Sequence, residues 1–320
     1  MKILITGASG FIGTNLLEYF ITKGYDVFNI DKGKPKDKSQ IKYWYDVDIC
    51  DLEKLKIAID KIKPDYIVHL AAQADLNEND GLEYYSANIL GVENIVKVVS
   101  DCKNIQRVIF TSSMLVNEVG YKAKDIFDYN PKTLYGQSKV MGEKIVFDNA
   151  PKLNEFCIIR PTSIWGEYFK EPYKNFFDYV LVGKFFHPGD KACNKTYGYI
   201  GNVVYQIEKL LFAKKEDIQG EVFNIGDKPA INISEWANEI ADEAKISKPK
   251  KIPYFIFIFA GLFGDILGKV GIKFPMTSFR LNNMTTNHIL DLDNTYGVCG
   301  DVPYNRIDGI KRTLAWMDIK

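Results

Sequence analysis

The sequence predicts an α/β fold: a doubly wound parallel sheet followed by a smaller, mostly helical region. Three observations carry this. Apolar Ile3-Leu4-Ile5 runs straight into Thr6-Gly7-Ala8-Ser9-Gly10-Phe11-Ile12-Gly13. Short strand-like runs then alternate with helical patterns through the first half, as expected of parallel strands joined by crossover helices. Past residue 163 the alternation gives way to aromatic, loop-rich chain, so a second region with a different task is expected there.

The first element reads as a buried strand at residues 3–5, followed by a tight loop and a helix from Phe11 to Lys23. Gly7, Gly10 and Gly13 recur every third residue. Glycines there let the backbone turn sharply and bring N–H groups against phosphates, whose negative charge the helix N-terminus favours. Gly13 also permits close helix–strand packing. A second strand, Asp26 to Ile30, ends at Asp31, where a carboxylate can accept from ribose hydroxyls. Strand, loop, helix and acid together read as a dinucleotide-binding Rossmann unit. Asp31 would repel a 2′-phosphate, so NAD is expected rather than NADP; Lys32, Lys34 and Lys36 close by oppose that preference.

Further strands are expected near 43–47, 66–70, 107–111 and 156–160, and helices near 51–62, 83–102 and 134–149. Tyr66 to Leu70 leads into Ala71-Ala72, small enough for a cofactor to lie against the backbone. His69 has no acid or base nearby in sequence and reads as a packing histidine. A helix at 203–214 and a strand from Glu221 to Ile225 read as a return to the sheet. The expected division is residues 1–163 plus about 199–226 for NAD, and about 164–198 plus 227–320 for substrate.

Tyr135 and Lys139 stand four apart on a predicted helix and so share a face. A free tyrosine titrates near pH 10, too high for a base at neutral pH. A neighbouring ammonium and a positive nicotinamide ring would favour the phenolate. Lys139 can also donate to the nicotinamide ribose. A hydroxyl at a strand end completes such a set, and Thr111-Ser112-Ser113 follows Val108-Ile109-Phe110. The chemistry implied is hydride movement to and from a hydroxyl-bearing carbon.

These motifs, with Asp48-Ile49, His69-Leu70-Ala71-Ala72, Asn88, Arg160-Pro161 and Gly220-Glu221-Val222-Phe223-Asn224-Ile225-Gly226, make the chain resemble the extended short-chain dehydrogenase/reductases. The likeness covers nearly the whole chain and is strongest to the UDP-galactose 4-epimerase relatives. It implies that Phe11 and Ile12 flank the pyrophosphate, Asp48 and Ile49 hold the adenine, and Leu70, Ala71 and Ala72 line the cofactor channel. Gly7, Gly10, Gly13, Asp31, Lys32 and Thr111 complete the cofactor set. Asn88 would fix the helix beside the site, and Thr162 would lie against the nicotinamide. Ser113, not Ser112, would be the catalytic, substrate-binding hydroxyl beside Tyr135 and Lys139.

The substrate half departs from the pattern. The Tyr-Gly expected after Val116 is Asn117-Glu118, and the Asp-Glu that dehydratases carry after the hydroxyl is Met114-Leu115, which disfavours dehydration. The sugar-nucleotide asparagine falls on Ser163. The phosphate-binding arginine falls on Lys195, which keeps the charge and loses the bidentate fork. The usual aspartate after Tyr197-Gly198-Tyr199-Ile200 is replaced by Gly201-Asn202.

The resemblance implies an NAD-dependent nucleotide-sugar epimerase, acting at C4, in surface-polysaccharide sugar biosynthesis. The alternatives are a sugar C4 dehydrogenase or 4-keto-sugar reductase and, prompted by apolar residues 254–263 and Leu314-Ala315-Trp316, a 3β-hydroxysteroid-type dehydrogenase. A dinucleotide sensor would need none of Ser113, Tyr135 or Lys139.

Lysine plus arginine and aspartate plus glutamate balance at 41 each, so nothing favours nucleic acid or an anionic membrane. Five scattered cysteines lack metal-ligand spacing, so no metal is expected, and a reduced, cytoplasmic protein is. The sequence enters a strand-like run at residue 3, so no signal peptide is expected. Residues 254–263 are too short for an integral membrane segment; a buried or substrate-domain helix is expected there rather than a membrane-surface one. A homodimer is expected through helices 83–102 and 134–149, whose Val96, Val99, Val140 and Ile145 exceed what one sheet face needs.

Overall fold

The computed structural model describes residues 1–76, 81–171, 173–189, 193–272, 274 and 276–319, and statements of absence refer to these. The first half alternates as expected: β1 (Lys2–Thr6), α1 (Phe11–Thr22), β2 (Asp26–Asp31), β3 (Trp44–Asp46), α2 (Leu52–Ile62), β4 (Tyr66–His69), α3 (Ser86–Asp101), β5 (Arg107–Thr111), α4 (Leu134–Asp148) and β6 (Glu155–Pro161). The second half holds β7 (Ser163–Trp165), α5 (Tyr173–Leu181), β8 (Phe186–Pro188), β9 (Asn194–Lys195), β10 (Tyr197–Tyr199), α6 (Ile200–Leu211), α7 (Lys215–Ile218) and β11 (Val222–Ile225). It ends with β12 (Ile231–Asn232), α8 (Ile233–Glu243), β13 (Lys250–Ile252), α9 (Tyr254–Lys269), α10 (Ser278–Thr285), α11 (Asp293–Cys299) and α12 (Arg306–Trp316).

Seven strands form the central sheet in the order β3-β2-β1-β4-β5-β6-β11. Every pairing in it is parallel. The chain winds outward in one direction from β1 through β2 and β3, and in the other from β4 onward, so the order reverses beside β1. A crevice outside the carboxyl ends of β1 and β4 is the expected ligand position. Helices cover both faces, which is why β1 is apolar at successive residues rather than alternating. Ile3 and Ile5 point into one core with Leu16, Phe20, Trp165 and Trp236, and Leu4 points into the other with Ile30, Ile67, Ile95 and Val108. The first core runs without a break from the sheet into the C-terminal region.

That region is built from pairs of very short strands: β7 with β10, β9 with β12, and β8 with β13. An aromatic cluster holds them, with Trp236 centred 4.8 Å from Phe176, 4.9 Å from Tyr197 and 5.1 Å from Trp165.

Two expectations need correction. Val96 and Val99 are buried in the core against the sheet, Ile145 is half-buried against the same core, and Val140 is buried on α4, which packs on α3. They are not a spare surface; Leu90 and Met141 are the large apolar side chains that these helices expose. Residues 254–263 lie in a helix of the C-terminal region, but that helix is not buried. Only Phe257, Gly261 and Gly264 of α9 are covered, and most of its apolar side chains face outward. Glycine at 264 allows the close contact, since a Cβ there would fall 1.8 Å from the Met276 carbonyl oxygen.

Candidate active site

The glycine loop closes β1 onto α1 in a conformation that only glycine fits. Gly7 has φ +75°, and a Cβ on it would lie 2.6 Å from the Ala71 backbone. A Cβ on Gly13 would lie 2.4 Å from Ala8 Cα and the Gly7 carbonyl. The loop is then pinned by β2. The Ala8 amide donates to Asn29 Oδ1 at 3.1 Å, and the Ser9 amide to Asp31 Oδ2 at 3.0 Å. Asn29 was absent from the sequence reading. Its signal was the two-residue spacing to Asp31, which puts both side chains on one side of the strand.

Asp31 Oδ1 accepts from the Gly33 amide at 2.8 Å, so each carboxylate oxygen already holds one donor. Each keeps lone-pair capacity for a ribose hydroxyl. Burial raises its pKa, partly offset by those amides. Lys32 Nζ lies 3.7 Å from Asp48 Oδ2.

A cleft of about 510 Å³ opens where the sheet order predicted it. Gly7, Gly10, Phe11, Ile12 and Gly13 line it at one end, with Asp31, Lys32, Asp48 and Ile49 beside them, and Leu70, Ala71, Ala72 and Thr111 along its floor. Thr111 Oγ1 is buried and has no hydrogen-bond partner. The glycine cradle, the acid at the end of β2 and this unpartnered hydroxyl fit a dinucleotide laid across β1 and β4. Asn88 stands outside the cleft and ties its wall together. It donates to Ser138 Oγ on α4 at 2.8 Å and to the Gln73 carbonyl at 2.9 Å, and accepts from the Gln73 amide.

Ser113, Tyr135 and Lys139 converge from β5 and α4. Thr133 caps α4 by accepting from the Gly136 amide at 3.0 Å, which starts the helix at Leu134 and sets the phase of Tyr135 and Lys139. Lys139 Nζ donates to the Thr111 carbonyl at 2.9 Å, joining the helix to the cleft floor. Burial lowers its pKa to about 8, against the pull of Glu143. Burial raises the Tyr135 phenol to about 12, and the adjacent Ser113 hydroxyl draws it back down. His69 is the packing residue it was read as: its Nδ1 pairs with Thr6 Oγ1 at 2.7 Å, and burial lowers its pKa to about 3, so it is neutral.

Behind the triad lies a buried ion pair that the sequence reading passed over. Arg160 on β6 meets Glu143 on α4 through two bonds of 2.8 and 2.6 Å, and Tyr129 donates to the same carboxylate at 2.8 Å. Arg160 also donates to the Ile126 carbonyl at 2.6 Å. The pair therefore clamps the loop after Ser113 against both α4 and the sheet.

Thr162, expected against the nicotinamide, and the expected substrate residues are placed differently from the rest of the cofactor set. Thr162 is turned toward the Thr196 carbonyl, to which it donates at 2.6 Å, and does not line the cleft. Ser163 is buried and its Oγ accepts from Tyr173, a residue that the sequence did not single out. Lys195 on β9 is paired in register with His288. His288 Nδ1 accepts from the Gly120 amide at 3.0 Å, while its Nε2 is buried without a partner. The aspartate missing after β10 is supplied from elsewhere. Asp227, just past β11, accepts from the Tyr199 amide at 2.7 Å and from Asn202 Nδ2 at 3.0 Å, and burial raises its pKa to about 7.

A sequence profile of the NAD dependent epimerase/dehydratase family matches residues 3–226. The chain belongs to this family. It is therefore an NAD-dependent enzyme of the extended short-chain dehydrogenase/reductase type, as its motifs implied. It is 29% identical to an Escherichia coli O157:H7 N-acetyl-α-D-glucosaminyl-diphospho-ditrans,octacis-undecaprenol 4-epimerase, over 98% of this chain and 95% of that one. It is 26% identical to a Vibrio cholerae UDP-glucose 4-epimerase, over 98% and 94%. In fold it matches a Thermotoga maritima UDP-glucose 4-epimerase at TM-score 0.76, with 20% identity and 99% of both chains covered.

Proposed function

We propose that this enzyme inverts C4 of a sugar carried on a diphosphate, a nucleotide sugar in the first instance, with NAD retained through the cycle. The observation that carries the reading is the convergence of Ser113, Tyr135 and Lys139 at the Thr111 end of the dinucleotide cleft. Likeness along almost the full chain to two 4-epimerases supports it. Residues 1–163 with about 199–226 would hold NAD, and the remainder the substrate.

Bound NAD supplies reversible hydride acceptance from a carbinol carbon. The chain's own side chains handle the proton and the grip. Tyr135 Oη takes the C4 hydroxyl proton and returns it when the carbinol reforms. Burial pushes this phenol up to about 12, so it can take the proton only as a phenolate, which the Lys139 ammonium and a bound oxidised nicotinamide would favour. The Ser113 hydroxyl steadies that proton. Lys139, charged below about pH 8, orients the ribose at the cleft floor. Lys195 beside His288 offers the cation for the diphosphate, and Ser163 with Tyr173 offers a hydroxyl pair.

A cytoplasmic homodimer belongs to the same reading, supported by the free cysteines and by Leu90 and Met141 exposed on α3 and α4. The test is C4 interconversion, followed by NMR, on a panel of UDP-, GDP- and dTDP-hexoses and a polyprenyl-diphosphate N-acetylhexosamine, without added reductant. A 4-keto sugar reduced with stoichiometric NADH consumption, and no epimer pair interconverted, would make the enzyme a reductase instead.

A further inference from the structure

One helix turns the usual burial pattern inside out. Through Phe257, Gly261 and Gly264, α9 presents a narrow stripe to the rest of the protein. Its opposite side carries Phe255, Phe259, Leu262, Phe263 and Ile266, all 52–68% exposed. At 3.6 residues per turn these five span an arc of about 100°. Contiguous exposed apolar surface of this kind marks an interaction site. The charged residues that flank the helix in sequence are lysines. Exposed Lys250 and Lys251 lie just before the helix and exposed Lys269 at its end. Asp265 is the helix's sole acid, and it faces α10, accepting from the Ser278 amide at 3.1 Å. The chain as a whole balances its charges at 41 of each sign, so this lysine frame is local.

An apolar arc framed by lysines is complementary to an anionic bilayer, apolar inside and negative at the headgroups. A second copy fits less well. Antiparallel pairing of two α9 helices would bring Lys250 and Lys251 of one against Lys269 of the other, like charge on like. Among the described residues no helix is long and apolar enough to cross a membrane, so the contact would be interfacial.

We propose that α9 docks this enzyme on an anionic phospholipid bilayer, its apolar arc among the acyl chains and Lys250, Lys251 and Lys269 at the headgroup phosphates. Docking stands without the epimerase reading; one consequence rests on it. α10 packs on α9 and leads into His288, which pairs with Lys195. The candidate diphosphate grip is thus tied to the docking helix, which suits a sugar diphosphate anchored in the bilayer.

The experiment is flotation of the full-length protein with vesicles of phosphatidylcholine alone, or of phosphatidylcholine mixed equally with phosphatidylglycerol. Wild type should float with the mixed vesicles about tenfold more than with phosphatidylcholine alone, and less at high salt. Phe259→Asp with Ile266→Asp should abolish flotation while leaving the melting temperature and turnover of a soluble nucleotide sugar unchanged. Lys250→Glu with Lys251→Glu and Lys269→Glu should remove the preference for phosphatidylglycerol. Wild type that floats with neither vesicle, or an aspartate variant that floats as well as wild type, overturns the proposal. So does a dimer in light scattering that Phe259→Asp dissolves in a protein indifferent to vesicles, since the surface then belongs to a second copy. Flotation without any C4 activity supports docking and counts against the epimerase alone.

Discussion

The dinucleotide cleft and the candidate sugar site differ in where their parts come from. Gly7, Gly13, Asn29 and Asp31 fall within one strand–loop–helix–strand unit, and their contacts span about twenty residues of chain. Ser163, Tyr173, Lys195, Asp227 and His288 come from five segments, and Lys195 meets His288 across a two-residue strand. In the first region backbone geometry makes the site, so glycine and one acid suffice. In the second, scattered side chains make it, held by aromatic packing. The cofactor grip should therefore be sensitive to single local changes, and the sugar grip to how the loops are held.

The largest effect expected is at the junction of the two. Tyr135→Phe removes the group that exchanges the substrate proton, and general acid–base catalysis contributes roughly 10²–10⁴-fold. Turnover should fall by at least about 10²-fold with NAD still bound, measured by turnover and by cofactor retention on the same preparation. Retained turnover would detach the chemistry from α4.

Next comes the clamp behind the triad. Glu143→Ala strands Arg160, 6% exposed, without its carboxylate. Breaking a buried pair in this way costs about 3–5 kcal/mol. Denaturant unfolding should show that loss, and a cost under about 1 kcal/mol would mean that the Ser113 loop is held by other contacts.

A smaller effect tests the local region by itself. Asp31→Ser removes the acceptor for the Ser9 and Gly33 amides and the charge that opposes a 2′-phosphate. One hydrogen bond to a charged group is worth about 1.5–3 kcal/mol. Calorimetric titration should show NAD weakened by about tenfold or more, with NADP gaining relative to it. An unchanged ratio would assign cofactor choice to Lys32, Lys34 or Lys36.

The smallest lies in the non-local region. Asp227 titrates at 3.8 when exposed and at about 7 in the fold, so the folded state holds its proton longer than the unfolded one. Its stabilising contribution is complete below 3.8 and is lost as pH rises through about 7. Asp227→Asn keeps a neutral acceptor for the Tyr199 amide and should flatten that part of the stability–pH curve. An unchanged slope from melts between pH 4 and 8 would refute the assignment.

The same contrast explains how much could be read from the chain. The order of strands and helices to residue 161, the glycine loop, Asp31 and the Tyr135–Lys139 pair were legible because each rests on a short-range period or spacing. Glu143 was not, because its partner Arg160 is seventeen residues away on another element and a mid-helix glutamate reads as solvated. Asp227 was missed because β11 was needed to bring it beside β10. The exposure of α9 was invisible, since an apolar run looks the same whether neighbouring chain covers it or not. Val96, Val99 and Val140 misled for the converse reason: hydrophobicity does not say which neighbour is buried against it.

The central claim is that C4 is inverted while cofactor and carbon-bound hydrogen stay with the enzyme. The direct measurement uses an epimerisable diphosphate-linked sugar deuterated at C4, with enzyme in trace amount and no added NADH. The account predicts product of inverted configuration that still carries deuterium at C4, with no net change in NADH absorbance. Deuterium lost from C4 into a released NADH pool, or no inversion alongside net oxidation, would contradict it.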